Sequence, residues 1–241
     1  MLSKYVKPGD KVEVQAVERV KFADEGEKKK VYASMVSDIL SDDQLEIVMP
    51  MEKSKLILLP VNAEYDVYFY TESGLYQCFV KVIDRYKQDN QYILLLELTS
   101  NLRKFQRREY YRLGCALEMS ARPLEKEEIR AVENNDKYLV PGLPLKRSVI
   151  VDISGGGIRF VGDYCYEPDS LVCCKYNLAT DGKSKEYTLI SKILTARELP
   201  DRPGLYEHRA QYIHIDTAER EEIIRFIFEE ERKHRKQEKG I

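Results

Sequence analysis

Two short clusters carry residue types that could do chemistry. The first, Gln106-Arg107-Arg108-Glu109-Tyr110-Tyr111-Arg112, contains an R-x-x-x-R spacing at Arg108 and Arg112. The second, Asp152-Ile153-Ser154-Gly155-Gly156-Gly157, contains D-x-S-x-x-G. An arginine is a permanently charged planar fork that pairs bidentately with phosphate and stacks on flat rings. The same fork fits the O6/N7 edge of guanine. An ionised Asp only accepts, which suits the N1–H and N2–H donors on guanine's other edge. In D-x-S on a strand, the period of two points Asp152 and Ser154 to one face. The glycines allow backbone to approach a ligand closely. Together the clusters supply the groups needed to hold a guanine nucleotide carrying phosphate. Each alone has a plainer reading: arginines at a boundary as a solvated linker, D-x-S-G-G-G as a β-turn.

The elements that would position them are mostly strands. Val12, Val14 and Ala16 alternate with polar residues, as do Leu45, Ile47 and Met49, then Tyr65, Val67 and Phe69, then Tyr76, Cys78 and Val80. Such alternation marks strands with one buried face. Turn signals separate them at Pro8-Gly9-Asp10, Asp24-Glu25-Gly26, Ser41-Asp42-Asp43, Glu72-Ser73-Gly74 and Asp89-Asn90. Tyr92–Leu98 completes this series. A second series begins with Leu113, Cys115, Leu117 and Met119. A long loop over Arg122–Lys146 follows, with a short helix at Glu125–Glu133. Strands resume at Ser148–Ile153, Ile158–Val161, Leu171–Tyr176, Tyr187–Leu194 and His208–Ile215. A terminal helix is capped by Asp216 with Glu219 as capping-box partner and buries Ile223, Phe226 and Ile227. Beyond Glu229 it is charged all round and projects into solvent or onto a partner.

Composition narrows the function classes. The 241 residues are 43% hydrophobic and 33% charged, which excludes a disordered chain. Lys+Arg total 39 against Asp+Glu 41, so a generally basic nucleic-acid binder is disfavoured. Five of the basic residues, Arg103, Lys104, Arg107, Arg108 and Arg112, nevertheless fall in one run with a single acid, Glu109. The chain opens without a signal-peptide pattern, and no apolar run reaches the ~20 residues that span a bilayer. The five cysteines include no C-x-x-C pair, which suits a reduced cytoplasmic protein. Adjacent Cys173 and Cys174 point to opposite faces, one to core and one to surface. His208, His214 and His234 have no metal spacing; one continuous strand would put the first two on one face. Ser154 lacks a G-x-S-x-G context and an identifiable base, so no catalysis is expected. The basic stretch Arg232–Lys236 is flanked by glutamates and fits a solvated helix end.

The ordered pair of motifs with the terminal helix resembles the PilZ domain, a bacterial receptor for the second messenger cyclic di-GMP. The family's RxxxR and D/NxSxxG motifs stand at Arg108–Arg112 and Asp152–Gly157, and its frequent doubled arginine is Arg107-Arg108. The first hundred residues resemble the N-terminal domain of YcgR-type flagellar brake proteins. The resemblance implies a mostly β chain of two small β-barrels in tandem. These would be an N-terminal barrel over 1–100, an Arg-rich connector over 101–112, and a PilZ barrel with its C-terminal helix over 105–241. It implies that Arg107, Arg108 and Arg112 hold phosphates and guanine O6/N7 edges. Asp152 and Ser154 would receive a guanine's donor edge, and Gly157 would permit close approach. Arg103, Lys104 and Gly156 are further candidates. Cyclic di-GMP would be the ligand, with no cofactor or metal. Binding would order the connector and change the angle between the barrels. The implied partner is a flagellar stator or rotor protein, with recruitment from the cytoplasm to the motor base. Two alternatives stand beside this: control of exopolysaccharide synthesis or secretion, and a nucleic-acid-binding β-barrel.

Overall fold

The computed structural model describes residues 2–17, 30–180 and 182–238. The expected turn at Asp24-Glu25-Gly26 lies outside the described residues. The chain divides into two compact units, Met1–Arg107 and Arg108–Ile241. No helix among the described residues is long and apolar enough to cross a membrane.

The first unit begins with a 3-10 turn, Leu2–Lys4. Its strands are β1 (Lys11–Ala16), β2 (Val31–Ile39), β3 (Gln44–Val48), β4 (Met51–Glu52), β5 (Lys55–Leu56), β6 (Glu64–Thr71), β7 (Gly74–Gln88), β8 (Gln91–Leu98) and β9 (Arg103–Lys104). The sheet order is β6-β1-β2-β3-β8-β7-β9, and β6 also pairs with β7, so six strands close into a barrel. All these pairings are antiparallel. Strand β4 pairs with β5 as a separate ribbon. The expected alternation holds for Val12, Val14, Tyr65, Val67, Phe69, Cys78 and Val80, which all face one core, but Ala16, at the end of β1, is exposed. Aromatic and β-branched residues dominate because they fill a pleated half-buried surface well. The short strand β9 carries the beginning of the basic run along the edge of β7.

The second unit is a closed barrel of β10 (Arg112–Pro123), β11 (Lys146–Ser154), β12 (Gly157–Gly162), β13 (Leu171–Thr180), β14 (Lys183–Leu199) and β15 (Arg202–Tyr212), ordered β10-β11-β12-β15-β14-β13. Helix α2 (Thr217–Glu238) sets Ile223, Phe226 and Ile227 into the same core as Ile150, Ile153, Phe160 and Tyr212. The Arg220 backbone N–H bonds Asp216 O at 2.9 Å, so the helix starts where Asp216 predicts. The Glu219 carboxylate bonds Lys137 at 3.0 Å.

The long insertion after β10 is not an empty loop. Helix α1 (Lys126–Glu133) is held by Glu128, which is completely buried. Its carboxylate accepts from both Arg122 Nη atoms at 2.7 and 2.5 Å, from Glu125 N at 2.6 Å and from Val140 N at 2.7 Å. These bonds, the Arg122 pair foremost, hold the Glu128 carboxyl down at about 2. The insertion builds a satellite core of Leu124, Val132, Cys173 and Ile190. This corrects the expectation for the cysteine pair: Cys174 faces the barrel interior, but Cys173 is also buried, in the satellite core. The two nearer histidines also part company. His208 is fully buried on β15, whereas His214 lies beyond the end of that strand and is exposed.

Candidate nucleotide-binding site

The second unit brings most of the motif residues onto three adjacent strands. Arg112 opens β10 and pairs in register with Ser154, and Gly114 pairs with Asp152. The inward neighbours of these residues, Leu113 and Ile153, are buried. Alternation therefore sends Arg112, Asp152 and Ser154 to the outer face of the barrel. Strands β11 and β12 form a tight hairpin around Gly155-Gly156, with Ser154 opposite Gly157, Ile153 opposite Ile158 and Asp152 opposite Arg159.

Each glycine and the serine has a structural duty here. The Ser154 hydroxyl donates to Gly157 O at 3.1 Å and accepts from Gly156 N at 3.3 Å, which locks the turn. It is only 8% exposed. A Cβ on Gly157 would lie 2.1 Å from Ala210 O, so β12 can meet β15 only through a glycine at that point. A Cβ on Gly155 would strike Tyr110 at 2.6 Å and Ile224 at 2.9 Å, and one on Gly156 would crowd the same tyrosine ring at 3.1 Å. The room next to the turn is thus filled by Tyr110, the central residue of R-x-x-x-R. Arg220 of α2 donates to the Tyr110 hydroxyl at 2.6 Å, with its guanidinium 5.3 Å from the ring centre. The sequence reading did not single out Tyr110 or Arg220. Tyr110 nails the segment between Arg108 and Arg112 to the glycine turn and to α2.

Asp152 is also engaged. Arg159 Nε donates to Asp152 Oδ2 at 2.5 Å, and Arg159 Nη1 donates to Glu207 Oε2 at 2.7 Å. The two acids, Asp152 first, raise the Arg159 guanidinium above its ordinary value, while burial opposes them. Arg159 and Glu207 were likewise missed. The signal was present: counting outward from a two-residue turn pairs position 152 with 159.

Of the remaining candidates, Arg103, Lys104 and Arg107 end the first unit and Arg108 begins the second. Arg103 on β9 gives Nε and Nη2 to Gln77 Oε1 at 3.0 and 2.8 Å. Lys104 is exposed on the same short strand, its chain passing near Gly74. Arg107 Nη1 donates to the Tyr70 hydroxyl at 2.6 Å and pairs with Glu13 at 3.3 Å, lying over the Tyr70 ring at 5.5 Å. Arg108 is exposed at the start of the second unit.

The matches to known proteins follow this division. A family model described as PilZ domain matches residues 106–229, and one described as Flagellar protein YcgR matches residues 7–98. The chain belongs to the PilZ domain family. Comparison with the curated proteins finds no match. Among solved structures, the Bacillus subtilis inhibitor of motility MotI/DgrA superposes with a TM-score of 0.71 at 16% identity, over 94% of this chain and 98% of that one. Escherichia coli YcgR in complex with c-di-GMP gives 0.47 at 11% identity, over 96% of this chain and 88% of that one. At such identities the first of these establishes the fold.

Burial pushes the Cys115 thiol up to about 11, helped by the Asp152 charge, and pushes Cys174 up to about 12. Neither is a thiolate at neutral pH. The Ser154 proton goes to a carbonyl, not to a base. Elsewhere on the domain a cleft of about 960 Å³ is lined by Val149, Val151, Val161 and Leu205. It contains none of the motif residues, and its Lys175 and Glu186 pair at 3.0 Å. Chemistry therefore favours the open strand surface at Asp152 over the larger hollow.

Proposed function

We propose that the protein is a cyclic di-GMP receptor that regulates flagellar motility through a motor protein. One observation carries the reading: the two motifs are locked together, Tyr110 of the arginine motif packing on Gly155 and Gly156 of the Asp motif. Tyr110 is the middle residue of the arginine motif, and Arg112 at its end stands opposite Ser154, two positions along β11 from the outward Asp152. A dianionic ligand with guanine bases meets cations for its phosphates and an acceptor for its donor edge. Arg107 adds a route for output. It is engaged by Glu13 and Tyr70 of the N-terminal barrel, so a phosphate that claims Arg107 must take it from that barrel. The match of residues 7–98 to the flagellar protein model supports motility over exopolysaccharide as the output.

Calorimetric titration with cyclic di-GMP tests the binding half. We expect micromolar or tighter affinity, weakened about 100-fold or more by Asp152→Ala and by Arg108→Ala, since each removes a charge-assisted contact. Unchanged circular dichroism would show that the fold survives. Absence of heat in the unmutated protein would end the reading. A pull-down with and without the nucleotide tests the output half, with a stator or rotor protein as the expected catch.

A further inference from the structure

The Asp152–Arg159–Glu207 chain has no part in the motif pattern, yet it controls the one acidic group the motifs supply. Asp152 is flanked asymmetrically. On one side its register partner is Gly114, where even an added Cβ would touch nothing within 4 Å. On the other side its register partner is Arg159. The carboxylate is thus uncovered toward β10 and tethered toward β12. Across the next ladder Arg159 stands opposite Arg209, a like-charge pairing that would push the two guanidiniums apart. Glu207, two residues along β15, takes Arg159 Nη1 and offsets that repulsion. The guanidinium is pinned at two points, Nε and Nη1, so its plane is set. Through Oδ2 it sets the rotation of the Asp152 carboxylate, whose torsion is otherwise broad. The side chains are 17% exposed at Asp152, 36% at Arg159 and 22% at Glu207, so water competes only in part.

We propose that Arg159, held between Asp152 and Glu207, is the positioning residue that makes the site selective for guanine. The inference rests on the cyclic di-GMP reading above. A carboxylate oxygen has two acceptor positions, so Oδ2 keeps one after bonding Arg159, and the register partner on the β10 side, Gly114, brings no side chain to the carboxylate. Both oxygens in one fixed plane accept N1–H and the 2-amino group together. A carboxylate free to rotate keeps one of the two bonds and loses the other.

The test compares cyclic di-GMP with cyclic di-IMP, which retains N1–H and O6 but lacks the 2-amino group, by titration of the full chain. The unmutated protein should prefer cyclic di-GMP by about 10-fold or more, the discrimination a good bidentate base contact provides. Arg159→Ala should weaken cyclic di-GMP by a similar factor and bring the preference within about two-fold. Arg159→Lys should not restore it, because an ammonium cannot bridge two carboxylates in one plane. Glu207→Gln should narrow the preference by a smaller factor. Thermal melting confirms that the variants fold. An Arg159→Ala protein that weakens both nucleotides equally, or neither, overturns the proposal while leaving the receptor reading intact. An unmutated protein that binds neither nucleotide overturns both.

Discussion

Arg107 and Arg112 belong to one basic run, yet they end in different surroundings. Arg107 closes the first unit and is spent on that unit's own side chains, Tyr70 and Glu13. Arg112 opens the second barrel opposite Ser154, and it is exposed. The contrast extends to the barrels. Both are six antiparallel strands closed on themselves. The outer face of the first carries a connected polar chain in which Asp66, Tyr68, Gln77 and Arg103 satisfy one another. The outer face of the second ends in a glycine hairpin, with a carboxylate that is tethered on one side and bare on the other. Closing a barrel fixes where side chains point. Which of them remain available is decided by their cross-strand partners.

The largest expected effect separates the barrels by stability. Glu128 and Arg122 are buried together in the second unit, at 0% and 8% side-chain exposure. Glu128→Ala would leave a guanidinium buried beside its lost partner, at a cost of about 3–5 kcal/mol. Thermal or urea unfolding should then show the second barrel melting early with the first unchanged. The pH dependence has a definite sign. The Glu128 carboxyl lies at about 2 in the folded protein against an ordinary 4.5. Its contribution is therefore complete above pH 4.5 and is lost as pH falls toward 2.

The sequence made the barrels legible because alternation is local: Tyr65, Val67 and Phe69 declare their inner face without help from the rest of the chain. The motif residues were legible for the same reason, since D-x-S places two side chains on one face by spacing alone. What stayed hidden depends on what packs from far along the chain. Cys173 is outward by alternation, and the satellite core built by the insertion after β10 buries it. Glu128 is buried because Arg122, at the end of β10, closes over it from outside its own helix. Gly157 reads as ligand space, but β15 fills that space with Ala210 O. Arg159 lay between these cases. It follows from register once the hairpin turn is placed at Gly155-Gly156, and it needed no distant element at all.

A middle-sized effect tests whether Tyr110 welds the arginine motif to the second barrel. Tyr110→Phe keeps the ring on the glycine turn but removes the acceptor of Arg220. One lost hydrogen bond to a charged group should cost about 1–2 kcal/mol. Denaturant unfolding should assign the loss to the second barrel. Proteolysis of the native chain should become faster near Arg108 and Arg112. Equal loosening throughout the first unit would count against the weld.

The smallest effect bears directly on Arg107. Its pair with Glu13 is exposed, 54% and 29% on the two side chains, so it is weak in itself. If cyclic di-GMP claims Arg107, every contact holding that arginine on the first barrel opposes binding. Glu13→Gln should then raise affinity by about two- to five-fold, as expected of a surface ion pair, and Tyr70→Phe should act in the same direction. Neither gain should appear in an Arg107→Ala background, because the competition is for that side chain alone. A fall in affinity with Glu13→Gln would place Glu13 on the ligand's side and erase the contrast between the two arginines.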